Sequence, residues 1–381
     1  GAVPESAWRH AALQPVVWGD VNPIGSAAWS PDGRTLARAG MGCVWFWDLS
    51  AGRHRATSGP TGPRLGQLAW PAGDVRACLR TGQWVAFDGV TAAMRPTVRI
   101  APSTVPAVMS PDGSLVAVAD TEQTCIHGAD TAKLLRTLRT KAKFPPAWSR
   151  DGQLLATVAD ETTVWDVTTG EPLRTLPIVG RCEWSPDGSR LAYTIGNGAL
   201  LEIRDAEQGE LIATLENDEP VVIEGPRLAW SRDGKRIAGF GRIWDAGDGK
   251  LIHHLQRFGT AASSFSPLWS PDDRFVTYST PEFSTAIADA DTGEVAMTLL
   301  AFSQSRSLAV SAEGHFRASP RTDEELVYIV QTDEGQDTLS PREFDEKYEW
   351  KNDPARVGLA SRPARRVPRR KPPVFQDLPP D

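Results

Sequence analysis

The chain has 381 residues, a formal net charge of −7 and four cysteines. It has no run of 18 apolar residues, which argues against a membrane-spanning helix, and its cysteines are too widely spaced for a zinc-finger pattern. Residues 361–381 carry six cations against two aspartates, which leaves the rest of the chain at −11. An acidic body argues against nucleic-acid binding by its surface.

A turn of the WSPDG type, preceded by a strand-like segment, recurs along the chain. Neighbouring copies are separated by between 36 residues (Trp148 to Trp184) and 46 residues (Trp184 to Trp230). The copies begin at Trp29, Trp70, Met109, Trp148, Trp184, Trp230, Trp269 and, in a degenerate form, Ser311. A period near 40 residues with four short strands in each repeat predicts an all-β propeller.

The fourth repeat, residues 147–176, shows how one blade is built. Proline or arginine at the second position of the turn, followed by Asp and Gly, predicts a tight hairpin between strands a and b. Strand b is LLATVA, strand c is TTVWDV after a turn at Asp160 and Glu161, and PLRTL is the outer strand d. Tryptophans that recur at fixed positions of the repeat are predicted to pack inside the blades.

Counting complete sets of strands predicts eight blades, with seven as the alternative. The eighth blade would combine the turn at Ser311, a strand c at residues 325–330 and an outer strand supplied by residues 15–18. A propeller over residues 15–330 would then be closed by its own N-terminal strand, which removes exposed sheet edges. Residues 1–14 would form an N-terminal extension.

The repeats resemble the WD40 family. The resemblance rests on Trp47-Asp48, Trp165-Asp166 and Trp244-Asp245 at the end of strand c. The Gly-His dipeptide of that family is absent before strand a, so the resemblance does not extend to the buried Asp-His-Ser-Trp network. The WSPDG motif also resembles the turn motif of PD40 or TolB-like propellers. Residues 315–357 resemble the end of WD40 proteins in large bacterial multidomain chains, which implies a module of a longer bacterial protein.

The segment after the propeller, residues 331–360, predicts a short helix. Ser340 is placed as N-cap, Pro341 at the first helical position and Glu343 as the partner in a capping box. Phe344 and Tyr348 would share one face, which would dock on the propeller or bind a partner. Residues 361–381 are rich in Pro and Arg and predict a disordered tail. Its electrostatic arm would be Arg365, Arg366, Arg369, Arg370 and Lys371.

No catalytic or nucleotide-binding motif of the common kinds occurs, so we expect no enzyme, no cofactor and no metal site. His253 and His254 are the strongest candidates for a pair of metal ligands. Adjacent residues of a strand point to opposite faces of the sheet, however, so the two side chains could not easily share one ion. The cysteines are expected to be buried apolar residues. A cytoplasmic location is expected, although the chain begins at Gly1, which leaves an upstream signal or domain open.

The loops that join strand b to c and one blade to the next are predicted to gather on one rim. Aromatic residues ringed by acids would suit a protein or peptide partner with basic residues. The predicted rim residues are Phe144, Asp160, Glu161, Phe240, Arg242 and Phe283. Nucleic acid or an anionic membrane would be bound only through the tail, and the propeller is expected to be a monomer.

The sequence therefore predicts a non-catalytic interaction scaffold. The alternative is an enzyme or ligand sensor with a site at the mouth of the central channel. Convergent polar groups with a perturbed titrating residue would favour that alternative, whereas a shallow aromatic rim would favour the scaffold.

Overall fold

The structure is a computed structural model. It describes residues 12–15, 26–40, 42–59, 65–71, 73–79, 83–95, 98–99, 107–120, 122–198, 200–216, 228–255, 267–280, 284–303, 305–320, 322, 326–332 and 335–359.

The described residues form a β-propeller with seven blades, each an antiparallel sheet in which the strands follow chain order. The first blade contains β2 (Ala27–Trp29), β3 (Thr35–Gly40), β4 (Cys43–Asp48) and β5 (Arg53–Thr57). The second contains β6 (Leu65–Ala69), β7 (Asp74–Leu79), β8 (Gln83–Asp88) and β9 (Val98–Arg99). The third contains β10 (Val108–Met109), β11 (Leu115–Ala119), β12 (Thr124–Gly128) and β13 (Leu134–Leu138). The fourth contains β14 (Ala147–Trp148), β15 (Leu154–Val158), β16 (Thr162–Asp166) and β17 (Pro172–Leu176). The fifth contains β18 (Arg181–Trp184), β19 (Arg190–Ile195), β20 (Leu200–Asp205) and β21 (Leu211–Thr214). The sixth contains β22 (Ala229–Trp230), β23 (Arg236–Gly239), β24 (Arg242–Asp245) and β25 (Leu251–His254). The seventh contains β26 (Leu268–Trp269), β27 (Phe275–Ser279), β28 (Thr285–Asp289), β29 (Val295–Ser303), β30 (Arg306–Ser311) and β31 (Phe316–Ala318).

The WSPDG-type turn is closed by its own side chains. In the fourth blade the Ser149 hydroxyl donates to Asp151 Oδ1 (2.7 Å) and accepts from the backbone N–H of Leu154 (2.8 Å). Gly152 adopts φ of 72°, a left-handed conformation that glycine reaches without a steric penalty. The serine thus bridges the turn to the first residue of strand b, and the predicted tight hairpin is present.

The turn between strands c and d depends on the aspartate that follows the tryptophan. Asp166 Oδ1 accepts from the backbone N–H groups of Thr168 and Thr169, both at 2.8 Å. A shift in register between Val164 and Trp165 precedes it, and Gly170 closes the turn with φ of 78°. These turns and the WSPDG-type turns lie at the same end of each blade, which we call the turn end. The opposite end, with the b to c turns and the connections between blades, is the loop end.

The core consists of clusters that join neighbouring blades. Buried tryptophans supply much of this packing, as predicted; they include Trp29, Trp47, Trp148, Trp165, Trp184, Trp244 and Trp269. One cluster joins Trp29, Leu36 and Trp45 of the first blade to Phe275 and Met297 of the seventh. The first and seventh blades therefore pack against each other.

The prediction of eight blades is wrong, and the reason lies in the connection after β29. Only residues 304 and 305 separate β29 from β30, whereas residues 215–228 separate β21 from β22. A connection this short forms a hairpin, so β30 stays beside β29 in the seventh sheet. The hairpin at Ser311, predicted to begin an eighth blade, instead adds β30 and β31 to the seventh.

A separate three-stranded sheet joins the first described strand to two strands that follow the propeller. β32 (Leu326–Thr332) pairs with β1 (Ala12–Pro15) on one side and with β33 (Gly335–Leu339) on the other. An N-terminal strand does pair with the predicted strand c near residue 330. This strand is β1, which begins three residues before the predicted residues 15–18, and its sheet does not include β31. The strand β33 was not predicted.

The helix α1 (Pro341–Tyr348) has the start that the sequence predicted. The Ser340 hydroxyl accepts from the backbone N–H of Glu343 (3.3 Å), and a Glu343 carboxylate oxygen accepts from the backbone N–H of Ser340 (2.7 Å). Phe344 is fully buried, with its ring stacked 4.2 Å from that of Tyr328 in β32. The helix therefore docks on the three-stranded sheet.

Among the described residues, no helix has the length and apolar character that crossing a membrane requires.

Candidate functional site

The loop end carries a charged patch between the third and fourth blades, which we call the 3/4 patch: Glu122, Lys141, Lys143, Asp160 and Glu161. All five side chains are exposed. Lys143 Nζ lies 2.6 Å from Asp160 Oδ1, and Lys141 Nζ lies 3.6 Å from Glu122 Oε1. The Lys143 ammonium lowers the pKa of Asp160. Two of the predicted rim residues, Asp160 and Glu161, thus lie in one surface patch.

The backbone holds this patch in place. The Lys143 N–H donates to the Val158 carbonyl (2.7 Å), which ties the connection between the blades to strand b of the fourth blade. The Ala159 N–H donates to the Glu161 carbonyl (3.0 Å), so the b to c turn is tight. Phe144, a third predicted rim residue, is half-buried against the cluster shared by the fourth and fifth blades. The patch is therefore presented by a loop whose apolar side chain is anchored.

Two further predicted rim residues lie inside the protein. Phe240 has 2% of its surface exposed and packs in the cluster of the fifth and sixth blades. Arg242 has 1% exposed, begins β24, and donates from Nη1 to the Phe240 carbonyl (3.3 Å). The sixth blade therefore offers neither side chain to a partner in this conformation. Phe283 and the tail cations Arg365, Arg366, Arg369, Arg370 and Lys371 lie outside the described residues.

Sequence reasoning missed a set of arginines that join neighbouring blades at the turn end. Arg236 in β23 of the sixth blade donates to the carbonyls of Asp273 (2.7 Å) and Ala290 (2.9 Å) in the seventh. Arg190 makes the same pair of bonds from the fifth blade to the sixth, and Arg76 reaches the Gly113 carbonyl from the second to the third. Aligning the repeats would have found them, because all three occupy one position near the start of strand b.

Three charged residues meet at the turn end near the inner strands. Arg150 of the fourth blade donates from Nη1 to the Arg232 carbonyl of the sixth (3.3 Å), so it reaches past the fifth blade. The Asp273 carboxylate of the seventh accepts from the backbone N–H groups of Arg232 (2.5 Å) and Asp233 (3.0 Å). Burial raises the pKa of Asp273 and lowers the pKa of both arginines. Polar groups with shifted pKa values thus converge at the turn end.

The described residues contain no group of three His, Cys, Asp or Glu side chains spaced to hold a metal ion. Cys43 and Cys182 are buried and unpaired, as predicted for apolar packing residues, and Cys125 is half-buried. Burial raises the pKa of the Cys43 thiol to about 11, which leaves it protonated and unreactive at neutral pH.

Comparison with known proteins gives a likeness of fold. No protein-family model matches the chain. No curated protein matches it in sequence. Among solved structures it is similar to hydrazine synthase from Kuenenia stuttgartiensis, with a TM-score of 0.57 over 76% of this chain and 99% of the other. The sequence identity is 16%, so the likeness shows the propeller fold alone.

Proposed function

We propose that this chain is a non-catalytic scaffold that binds a protein or peptide through the loop end of a closed, seven-bladed propeller of the WD-repeat type. On this proposal it is a monomeric, cytoplasmic module of a larger bacterial protein. The supporting observation is the 3/4 patch, where exposed charged side chains are presented by hydrogen-bonded turns. Preorganised polar groups beside a partly exposed aromatic ring are suited to a peptide, since little side-chain order is lost on binding.

The charge of the patch suggests the kind of partner. Asp160 is already paired with Lys143, whereas Glu161 is exposed beside it in the same turn. A partner with a lysine or arginine would pair with Glu161 and compete with Lys143 for Asp160. Such rim contacts contribute to association rate and specificity more than to affinity.

Reversal of one charge tests the proposal. Glu161→Lys places a cation in the patch, and Glu171→Lys makes the same change at the turn end of the same blade, where Glu171 is also exposed. Quantitative affinity capture from a bacterial lysate should lose its specific partners with Glu161→Lys and keep them with Glu171→Lys. Equal capture by both variants would place binding elsewhere.

A second candidate function rests on the cluster of Arg150, Arg232 and Asp273. Two guanidinium groups near the inner strands would attract an anionic small molecule, which would make the propeller a ligand sensor. Thermal shift with inorganic phosphate and with a dicarboxylate should show stabilisation that is absent in Arg150→Ala. Arg34→Ala, a change at an exposed arginine of the first blade, is the control. Equal stabilisation of both variants would count against this site.

A further inference from the structure

The contact between the first and seventh blades lacks a bond that joins four of the other neighbouring pairs of blades. At four neighbouring pairs the indole N–H of the strand a tryptophan donates to a carbonyl of the preceding blade. These bonds run from Trp148 to Val108 (3.1 Å), Trp184 to Ala147 (3.0 Å), Trp230 to Glu183 (3.2 Å) and Trp269 to Ala229 (2.9 Å). Trp29 occupies the same position, but its buried Nε1 has no partner among the described residues.

The arginine bridge that joins the second, fifth and sixth blades to the blade that follows each of them is also missing from the seventh blade. The seventh-blade residue at the position of Arg190 and Arg236 is Phe275. A phenylalanine cannot donate to the carbonyls of the first blade. Among the described residues, the interface of the first and seventh blades, here called the 1/7 seam, therefore lacks these two links. A different indole bond crosses it, from Trp45 Nε1 to the Ser303 carbonyl (3.4 Å).

Residues 350–359, here called the latch segment, begin on the β30–β31 hairpin of the seventh blade. Asn352 Oδ1 accepts from the Phe316 N–H (2.8 Å), and Asn352 Nδ2 donates to the Phe316 carbonyl (3.0 Å). The Asp353 N–H donates to His315 Nδ1 (3.1 Å). The Trp350 ring stacks on His315, with ring centres 4.9 Å apart. These bonds and the ring contact fix the start of the latch segment on the hairpin, and a 3-10 turn at Pro354–Arg356 follows.

The other end of the latch segment lies on the first blade. Val357 has 1% of its surface exposed, in the cluster that contains Trp29, Trp47 and Phe275. The Leu359 N–H donates to the Leu49 carbonyl (2.7 Å). The fit is close on both sides, because a Cβ on Gly52 would collide with the Val357 carbonyl and one on Gly358 with the Ser50 carbonyl.

We propose that the groove between the His315 hairpin and the turn at residues 49–52 is a peptide-binding site whose ligand is the chain's own latch segment. The groove recognises three features of the latch segment. The Trp350 ring stacks on the His315 imidazole, the Asn352 side chain pairs with the backbone of Phe316, and Val357 is buried. The latch segment bridges the 1/7 seam, where the strand a tryptophan bond and the arginine bridge are both missing among the described residues. Once displaced, it leaves a groove that accepts the same sequence in trans.

The test uses the full chain. Val357→Asp places a carboxylate in the apolar cluster and should expel the latch segment, since an unpaired buried charge is strongly unfavourable. A fluorescent synthetic peptide of residues 350–359 is then titrated against this variant and against the unaltered chain, followed by anisotropy. The peptide should bind the variant at least tenfold more tightly, because the unaltered groove is occupied. Equal binding to both chains, or no binding to a folded variant, would overturn the proposal.

Two controls separate groove binding from general adhesion. A peptide with Lys351→Ala and Ala355→Ser changes exposed positions only and should bind as well as the native peptide. Adding Gly52→Ala to the variant should abolish binding through the collision with the Val357 carbonyl of the peptide. Binding that survives Gly52→Ala contradicts the assigned groove.

A milder change covers the case in which Val357→Asp does not fold. Asn352→Ala removes only the two bonds to Phe316 and leaves the apolar cluster intact. Hydrogen exchange of amides near Trp29 and Leu49 should then quicken, whereas amides of the fourth blade keep their rates. If the amides at the 1/7 seam exchange at unchanged rates, the proposal that the latch segment holds this seam is wrong.

Discussion

The repeated side chains of this protein differ in what they bond, although they occupy the same position of the repeat. Trp148 and Trp29 both precede a WSPDG-type turn, but among the described residues only Trp148 has a carbonyl partner for its indole N–H. An arginine at one position of strand b joins two blades in the fifth and sixth repeats, and the seventh repeat has a phenylalanine there. Residue identity at a repeat position thus determines how strongly each blade is held to the next.

Arg236 is expected to stabilise the contact between the sixth and seventh blades. Its guanidinium donates to two carbonyls and lies 4.9 Å from the centre of the Trp269 ring. Arg236→Ala leaves these acceptors unpaired, which should cost about 2 kcal/mol in the free energy of unfolding. Arg53→Ala, which breaks an exposed pair with Asp48, should cost under about 1 kcal/mol. Urea unfolding midpoints compare the two, and equal shifts would show that the bridge contributes little.

His315 is expected to make stability fall on acidification. Burial, followed by Arg356, lowers its pKa, while Glu313 and Asp353 act in the opposite direction. The neutral ring accepts the Asp353 N–H at Nδ1, so protonation removes that bond. Because the folded pKa lies below the unfolded value of about 6.5, the stabilisation is present above pH 6.5 and declines as the pH falls below it.

The measurement is the melting temperature between pH 7.5 and 5.5. His315→Asn should flatten this dependence, since an amide accepts a hydrogen bond without titrating. Burial also lowers the pKa of His54, so some dependence should remain in His315→Asn and be reduced further by adding His54→Asn. A pH dependence unaltered by His315→Asn would contradict the assignment.

At the scale of elements, the turns and the helix start could be predicted because their chemistry is local. Ser149, Asp151 and Gly152 close a hairpin by bonds within five residues, and Ser340 with Glu343 caps a helix within three. The sheet to which β30 belongs could not be predicted in this way, since the turn at Ser311, although degenerate, still matches the repeat. What decides it is the two-residue connection before it, which keeps β30 in the seventh sheet.

The candidate site was predictable only in part, for a related reason. The exposed acids Asp160 and Glu161 follow from the position of a b to c turn in the repeat. Phe240 occupies the corresponding turn of the sixth blade, yet that turn is shorter and Phe240 folds inward with φ of 50°. The packing between blades determines which loop residues face solvent. The sequence of a single repeat does not specify that packing.

The docked helix is expected to depend on one aromatic residue. Phe344 is fully buried and stacked on Tyr328, so Phe344→Ala should cost about 3 to 5 kcal/mol in the stability of this unit. Arg342→Ala, at a side chain that is 88% exposed on the same helix, should have little effect. Hydrogen exchange of β32 and β33 reports the difference. If both variants exchange alike, the helix does not stabilise the sheet.

At the scale of the whole molecule, the 1/7 seam is the contact where the two parts of the propeller most distant in sequence must meet. The other contacts between adjacent blades join blades that follow each other along the chain, so the connection itself keeps them close. The 1/7 seam has no such tether, and bringing its sides together costs loop-closure entropy. Among the described residues it also lacks the strand a tryptophan bond and the arginine bridge, so its stability depends on apolar packing, on the bond from Trp45 to the Ser303 carbonyl and on the latch segment.

This difference predicts unequal effects from one substitution made at two places. Trp148→Phe removes an indole bond and leaves the Val108 carbonyl without its donor, whereas Trp29→Phe removes an N–H that has no partner among the described residues. Both changes lose similar ring area, since both side chains are buried. Trp148→Phe should therefore lower the free energy of unfolding by about 1 kcal/mol more than Trp29→Phe does. Guanidinium midpoints of the two variants measure the difference, and a larger loss at Trp29 would mean that its indole is bonded across the 1/7 seam after all.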